Sequence, residues 1–285
     1  MDSYAPPVPT PHPAPEAHPP AACLNCGQPL HDQFCARCGQ AAATHRITLG
    51  HWLHDIPHSI WHVDRGLPYT LKQMLRRPGA TLRNYLAGQR APYFRPLSYL
   101  LLITGLITLC YVVLRLRPYN VADPAVPPAL RAVQERFLAF FSKYINWFAV
   151  LLLPLSAGVL RLFLRRARYN YAEYITIACF VTGTFHFFAL LALPFLYLLN
   201  GTRGGQQLMM GVLLVSFGYK TWAYASLLEP FGLSTFGRYL RGLAATLSTY
   251  FITLAAALTI LVLVNRKEFT ALVRQKTAPA VAHPR

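Results

Sequence analysis

The chain has 285 residues, 54% of them hydrophobic, with a mean hydropathy of +0.32 and a formal net charge of +17. A sequence this apolar, with its apolar residues gathered in long runs, excludes an ordinary soluble domain and places the chain among integral membrane proteins. The positive charge would suit nucleic acid, but most basic residues flank the apolar runs, where attraction to a bilayer with anionic headgroups accounts for them.

Residues 1–22 form a Pro-rich lead, with eight prolines and with His12 and His18. Such a composition buries too little apolar surface to offset the entropy of ordering, so this lead is expected to be disordered. It lacks the apolar stretch of a secretory signal, and the thiols that follow are expected to stay reduced.

Residues 23–40 read CLNCGQPLHDQFCARCGQ. Cys23 and Cys26 form one CxxC pair, Cys35 and Cys38 a second, and Gly27 and Gly39 follow directly. Each pair can turn two thiolates toward one ion, with the glycine allowing the tight turn. Four thiolates close a tetrahedron, which suits a structural Zn2+ with no open position. The segment is too short for its own core, so metal binding would have to supply its folding free energy, on the order of 10 kcal/mol. A pair of disulfides is disfavoured by the reducing side of the membrane, and a redox CxxC would need no matching second pair. The remaining cysteines, Cys110 and Cys179, lie in apolar runs and read as small core residues. With one arginine (Arg37) against one aspartate (Asp32), this zinc ribbon has no surplus charge for phosphate, so nucleic acid is disfavoured and a protein partner is expected.

Residues 45–96 form a juxtamembrane region. From Ile47 to Asp64 the apolar residues Leu49, Trp52, Leu53, Ile56, Ile60 and Val63 share one side of a helix. His51, His54, His58 and His62, with Asp55, share the other. Spacings of three and four place imidazoles one turn apart, as a second metal site would need. The same pattern describes the polar face of a helix lying on a membrane, and Pro57 would kink the histidine row, so the surface-helix reading is preferred. Residues 65–95 then carry seven basic residues (Arg65, Lys72, Arg76, Arg77, Arg83, Arg90, Arg95) and no acidic one. Basic residues crowded before a first span favour the cytoplasmic side, which puts the N-terminus in the cytoplasm and the chain in an inner membrane.

Residues 97–264 contain five apolar runs: Leu97–Leu114, Ile145–Leu164, Tyr174–Leu199, Gln207–Leu228 and Leu243–Val264. Each approaches the ~20 residues a helix needs to cross a bilayer. The arginines at 161, 165, 166 and 168 should return the second run to the cytoplasm. Charge favours five spans only weakly, and it would favour a re-entrant fourth run, with Lys220, Gly211 and Gly218, somewhat more. His186 and Lys220 are the deepest ionisable residues. A histidine satisfied by an interhelical hydrogen bond is preferred to a proton relay, and Lys220 can snorkel. Residues 265–285 form a basic tail.

The ordered motifs CxxCG, FCxxCGQ (Phe34–Gln40), HRIT (His45–Thr48), HVDRG (His62–Gly66), Thr70-Leu71, Arg77-Pro78-Gly79 and YLAGQR (Tyr85–Arg90), then Tyr93 and Pro96, resemble a family of bacterial multi-pass membrane proteins of the DUF3667 type, a domain of unknown function. The resemblance covers residue 23 to about residue 105 and implies an N-terminal zinc ribbon but no activity. Gln89 and Asp55 depart from the lysine and glutamate usual there.

The expectation is therefore an all-α integral membrane protein of about five transmembrane helices, preceded by a zinc ribbon and an interfacial amphipathic region. An interaction or scaffold role is favoured. A small-solute transporter or channel is one alternative, and a metal-dependent membrane enzyme using the histidine-rich helix is another. No nucleophile and base set, phosphate loop or paired intramembrane carboxylates are present, so catalysis is disfavoured and no catalytic residue is assigned. Changing His58 and His62 to glutamine is expected to leave the metal content of the purified protein unchanged. Metal analysis checks this, and a loss specific to that variant would make the face a site.

Overall fold

The computed structural model describes residues 22–50, 66–116 and 150–264, together with 144, 147, 148 and 266. The Pro-rich lead up to residue 21, His51, His54, His58 and His62, most of the connection after the first apolar run, and nearly all of the C-terminal tail lie outside the described residues.

Among the described residues the structure is all-helical, with eight α-helices and no strand. Two short helices come first, α1 (Leu67–Arg76) and α2 (Pro78–Leu86), both with proline in the first turn. A proline there forfeits an N–H that has no partner within the helix anyway. A loop then leads into α3 (Pro96–Val113), again opened by proline. Next come α4 (Leu153–Phe163) and α5 (Tyr171–Leu191). The expected third run, Tyr174–Leu199, is divided: α5 stops before Ala192 and a short α6 (Leu193–Leu198) continues it. Pro194 is the cause, since it has no N–H for the carbonyl four residues back and its ring crowds that turn. The last helices are α7 (Arg203–Leu227) and α8 (Thr235–Val264), so the apolar run from Leu243 is the later part of a longer helix.

The bundle is organised around α5. It packs against α3, α4 and α7, while α8 lies against α7 and α4. Of its apolar window, 67% is buried, against 22% for that of α8, which makes α5 the central helix and α8 peripheral. Buried hydroxyls are satisfied within the bundle: Tyr99 Oη lies 2.8 Å from Thr184 Oγ1, and Tyr174 Oη donates to the Leu164 carbonyl at 2.8 Å. Thr176, Thr184, Thr246 and Thr249 donate to carbonyls four residues back on their own helices. This suits an environment in which no water is at hand to satisfy them.

The helix ends fall into two groups. The start of α5 and the end of α7 lie at the end that carries α1, α2 and the cysteine segment, as Asn170 reaches Ile47 and Gly79 meets Ser226. At the opposite end Asn200 Nδ2 donates to the Arg115 carbonyl at 3.2 Å, joining the turn after α6 to the end of α3. Among the described residues, three helical stretches are long and apolar enough to cross a membrane: Pro96–Val113, Tyr171–Leu191 and Thr235–Ile260. Of the expected second span, α4 covers the apolar part Leu153–Phe163, and residues 145, 146 and 149 lie outside the described residues. The expected fourth corresponds to α7, with 25 residues but with Arg203, Gln206, Gln207 and Lys220 among them. Large apolar side chains point outward along α3 (Leu109, Val112) and α8 (Phe236, Leu240, Phe251), as lipid contact demands and water contact penalises.

Gly79 marks the tightest contact between the N-terminal helices and the bundle. A side chain there would run into the backbone of Ser226 and Leu227 at the end of α7. Gly79→Val is expected to lower the stability of the detergent-solubilised protein by about 1–3 kcal/mol, the usual cost of overpacking. Thermal unfolding followed by size-exclusion chromatography measures it, and an unchanged midpoint would show that α2 is not seated on α7.

Candidate metal centre

The cysteine segment folds as two turns of the same design. Cys23 N–H donates to the Gln28 carbonyl and Gly27 N–H to the Cys23 carbonyl, both at 2.8 Å. Cys35 with Gln40, and Gly39 with Cys35, repeat the pattern at the same distances. Isolated β-bridges close each turn, Ala22 with Pro29 and Phe34 with Ala41. Gly27 and Gly39 occupy φ of +73° and +72°, a region that a side chain disfavours. Their place directly after each CxxC is therefore a backbone requirement.

These turns bring all four predicted thiols together. Cys23 Sγ lies 3.6 Å from Cys38 Sγ, and Cys26 Sγ lies 3.5 Å from Cys35 Sγ. All four sulfurs fall within 4.8 Å of one another. A tetrahedron with metal–sulfur bonds of ~2.3 Å has edges of about 3.8 Å, so the cluster has the size of a four-thiolate shell. A disulfide would bring two sulfurs to about 2 Å, and these cysteines are all free. Burial pushes the Cys38 thiol up, but hydrogen bonds from Asn25, the Gln40 backbone, Cys23 and Cys35 outweigh it and bring it down to about 6. Cys26 receives a lowering backbone hydrogen bond from Gln28, which burial and its three thiol neighbours outweigh, leaving it pushed up to about 11. A bound cation would compensate the charge of gathering four thiolates in one place.

The module is fastened to the helices by residues that its own motif does not announce. Gln40 is buried, and its side chain is given to one loop. Nε2 donates to the Gly88 carbonyl at 2.8 Å, while Oε1 accepts from Arg90 N–H at 2.9 Å and Ala91 N–H at 3.0 Å. Leu24 seats on Gly88, where an added Cβ would come within 2.7 Å of Leu24 Cδ1. Arg90 lies over the Tyr85 ring and donates to the His45 carbonyl at 2.8 Å. Farther along, Arg46 forms a two-pronged ion pair with Glu173, at 2.7 and 2.9 Å. Glu173 also accepts from Asn170 N–H at 2.7 Å, and Asn170 Oδ1 accepts from Glu173 N–H at 2.9 Å, a reciprocal cap at the start of α5. Asn170 Nδ2 donates to the Ile47 carbonyl at 2.8 Å. Asn170 and Glu173 carry the spacing of a helix-capping box, a signal that could have identified this anchor from the sequence. No local signal could have paired Gln40 with residues 88–91.

His186 and Lys220 have ordinary partners. His186 Nδ1 lies 2.9 Å from Thr104 Oγ1, an interhelical contact between α5 and α3, and the Lys220 ammonium sits 4.7 Å from the centre of the Phe185 ring.

Fold and site together define a helical protein with, among the described residues, three helices able to cross a membrane and, at one end of the bundle, a four-cysteine cluster able to hold a metal ion. The model of a family described as proteins of unknown function (DUF3667) matches residues 64–108, which span α1, α2, the loop that Gln40 grips and most of α3. No curated protein and no solved structure matches the chain.

Gln40→Ala removes three hydrogen bonds and leaves the loop N–H and C=O groups without them, at a cost of about 1–3 kcal/mol. The variant is expected to keep its metal yet become more sensitive to limited proteolysis between residues 40 and 50. Equal protection in variant and wild type would show that the clamp does not hold the module.

Proposed function

We propose that this is a multi-pass inner-membrane protein, crossing the bilayer five times, that displays a structural zinc ribbon at the cytoplasmic headgroup level as an interaction or scaffold element. The observation that carries the reading is the Gln40 clamp: a four-thiol cluster of tetrahedral size is fixed to the loop that opens α3. Cys23, Cys26, Cys35 and Cys38 would hold the ion, and zinc would supply folding free energy and no chemistry, since four thiolates leave no position for substrate.

The basic residues support a cytoplasmic placement of this end. Arg76, Arg77, Arg83, Arg165, Arg166 and Arg238 lie around it, whereas Glu173 is engaged by Arg46. Such a crowd favours the side with anionic lipid and no need for translocation. With the cysteine module inside, the alternation of α3, α4, α5, α7 and α8 would bring the C-terminus outside. A rigidly mounted recognition surface without substrate chemistry suits a protein partner, while the surrounding arginines suit the lipid bilayer with its anionic headgroups.

The test has two parts. The purified wild type is expected to contain one zinc per chain and the Cys35→Ser, Cys38→Ser variant none; unchanged zinc in that variant would overturn the metal site. Reporters placed before Cys23 and between Arg165 and Arg168 are expected to read cytoplasmic, with one at the C-terminus reading external. A cytoplasmic C-terminus would mean that α7 does not cross.

A further inference from the structure

On the flank of the module end, α1, α2, α7 and α8 line a half-open cavity of about 380 Å³. Its wall carries Arg76, Arg77, Arg83 and Arg238 against a single carboxylate, Glu229, and two aromatic side chains, Trp222 and Tyr239. The arginines differ in how far they are engaged. Arg83 donates to the Ser226 and Leu227 carbonyls, closing the end of α7. Glu229 is 3.8 Å from Arg83 and 4.0 Å from Arg238, at the outer limit of an ion pair, and its side chain is 63% exposed. Arg238 Nε is buried without a hydrogen-bond partner. A buried N–H of a cation left unpaired costs free energy that an oxyanion would recover. The first turn of α2, Pro78 to Ala80, also faces the cavity and has no side-chain cap, which adds the positive end of a helix dipole.

The surroundings favour a membrane source for the oxyanion. Phe236, Tyr239, Leu240 and Leu243 are exposed on the first turns of α8, so apolar surface begins beside the arginines and continues down the helix. Trp222 and Tyr239 supply the amphipathic rings found at headgroup depth. A volume of this size is small for a whole lipid but suits a headgroup whose chains lie outside.

We infer that this cavity is a binding site for the phosphate headgroup of an anionic phospholipid, with Arg77 and Arg238 as its principal phosphate donors and the acyl chains lying along the exposed face of α8. The site rests on the membrane-embedded reading above but not on the ribbon. Arg76 faces the same group, and the guanidinium fork can donate two parallel hydrogen bonds to one phosphate. The wall's positive surplus favours a headgroup with net negative charge over a zwitterionic one.

The test uses the full-length protein in mixed detergent micelles, titrated with phosphatidylglycerol, phosphatidylcholine or inorganic phosphate and followed by native mass spectrometry. Saturable retention of phosphatidylglycerol is expected, with tenfold weaker retention of phosphatidylcholine. Arg77→Gln with Arg238→Gln is expected to weaken phosphatidylglycerol at least tenfold, while Arg165→Gln with Arg166→Gln, an equal loss of charge elsewhere at the same end, leaves it within twofold. Unfolding midpoints are compared so that a folding defect is recognised; where the first pair lowers the midpoint, Arg77→Lys, which keeps the charge but loses the fork, is expected to weaken retention severalfold. Equal weakening by both pairs would overturn the site in favour of diffuse attraction. Competition by inorganic phosphate at the lipid's own concentration would overturn the lipid as occupant. Extraction of the wild type from membranes by alkaline carbonate would instead overturn the membrane reading.

Discussion

The side chain of Gln40 makes three hydrogen bonds to one loop, and the position of the cysteine module depends on that concentration of contacts. Two CxxC turns cannot build a core, so nothing internal orients them relative to the helices. A primary amide has donors and acceptors in one plane and can grip a short backbone segment from both sides. Here the segment runs from Gly88 to Ala91, between α2 and α3. Gly88, at a φ of +101° and without a Cβ, lets Leu24 come down onto the loop beside the amide. One polar clamp and one apolar contact thus define the same docking position.

Glu173 plays the corresponding part for the segment that follows. It is 3% exposed, and a buried carboxylate is tolerated only with strong donors. Arg46 supplies two and the Asn170 N–H a third. The ion pair is only half sequestered, since Arg46 itself is 62% exposed, so its weight lies in positioning more than in net stability. Because Asn170 also binds the Ile47 carbonyl, the segment 45–47 is laid across the start of the most buried helix of the bundle.

Periodic and short-range features were legible in the sequence. The CxxC spacing placed four sulfurs, the glycines after each pair announced turns of positive φ, and the apolar runs located α3, α5 and the later part of α8. The division of the third run at Ala192 was overlooked because hydropathy ignores the missing N–H of Pro194, which composition treats as neutral. The start of α8 at Thr235 was hidden for a related reason: Arg238 and Arg241 interrupt the apolar pattern, yet their backbone continues the helix without penalty. Contacts distant in sequence left no such trace. Gln40 with Gly88, Arg46 with Glu173 and Gly79 with Ser226 each join residues whose types are unremarkable alone, and only the folded chain shows why each is needed.

These anchors also decide how a partner could meet the module. Residues 88–91 end shortly before Pro96, where α3 begins, so Gln40 lies a few residues of backbone from the first helix able to cross a membrane. The Arg46 pair adds a second attachment on α5, on the other side of the α3–α5 contact. Two attachments, one on the loop before α3 and one at the start of α5, remove both the height and the rotation that a single flexible stalk would leave free. A partner would then find one fixed orientation and need not lose that freedom on binding, which is the cost that pre-organised surfaces avoid. The same fixity sets Leu24, 43% exposed, against Gly88, while Phe34, 62% exposed on the second turn, is the more exposed of these two apolar side chains. The two turns therefore share one design and differ in the residue that follows the first cysteine or precedes it: the first supplies an anchor to the protein itself, and the second leaves its apolar ring free of the helices.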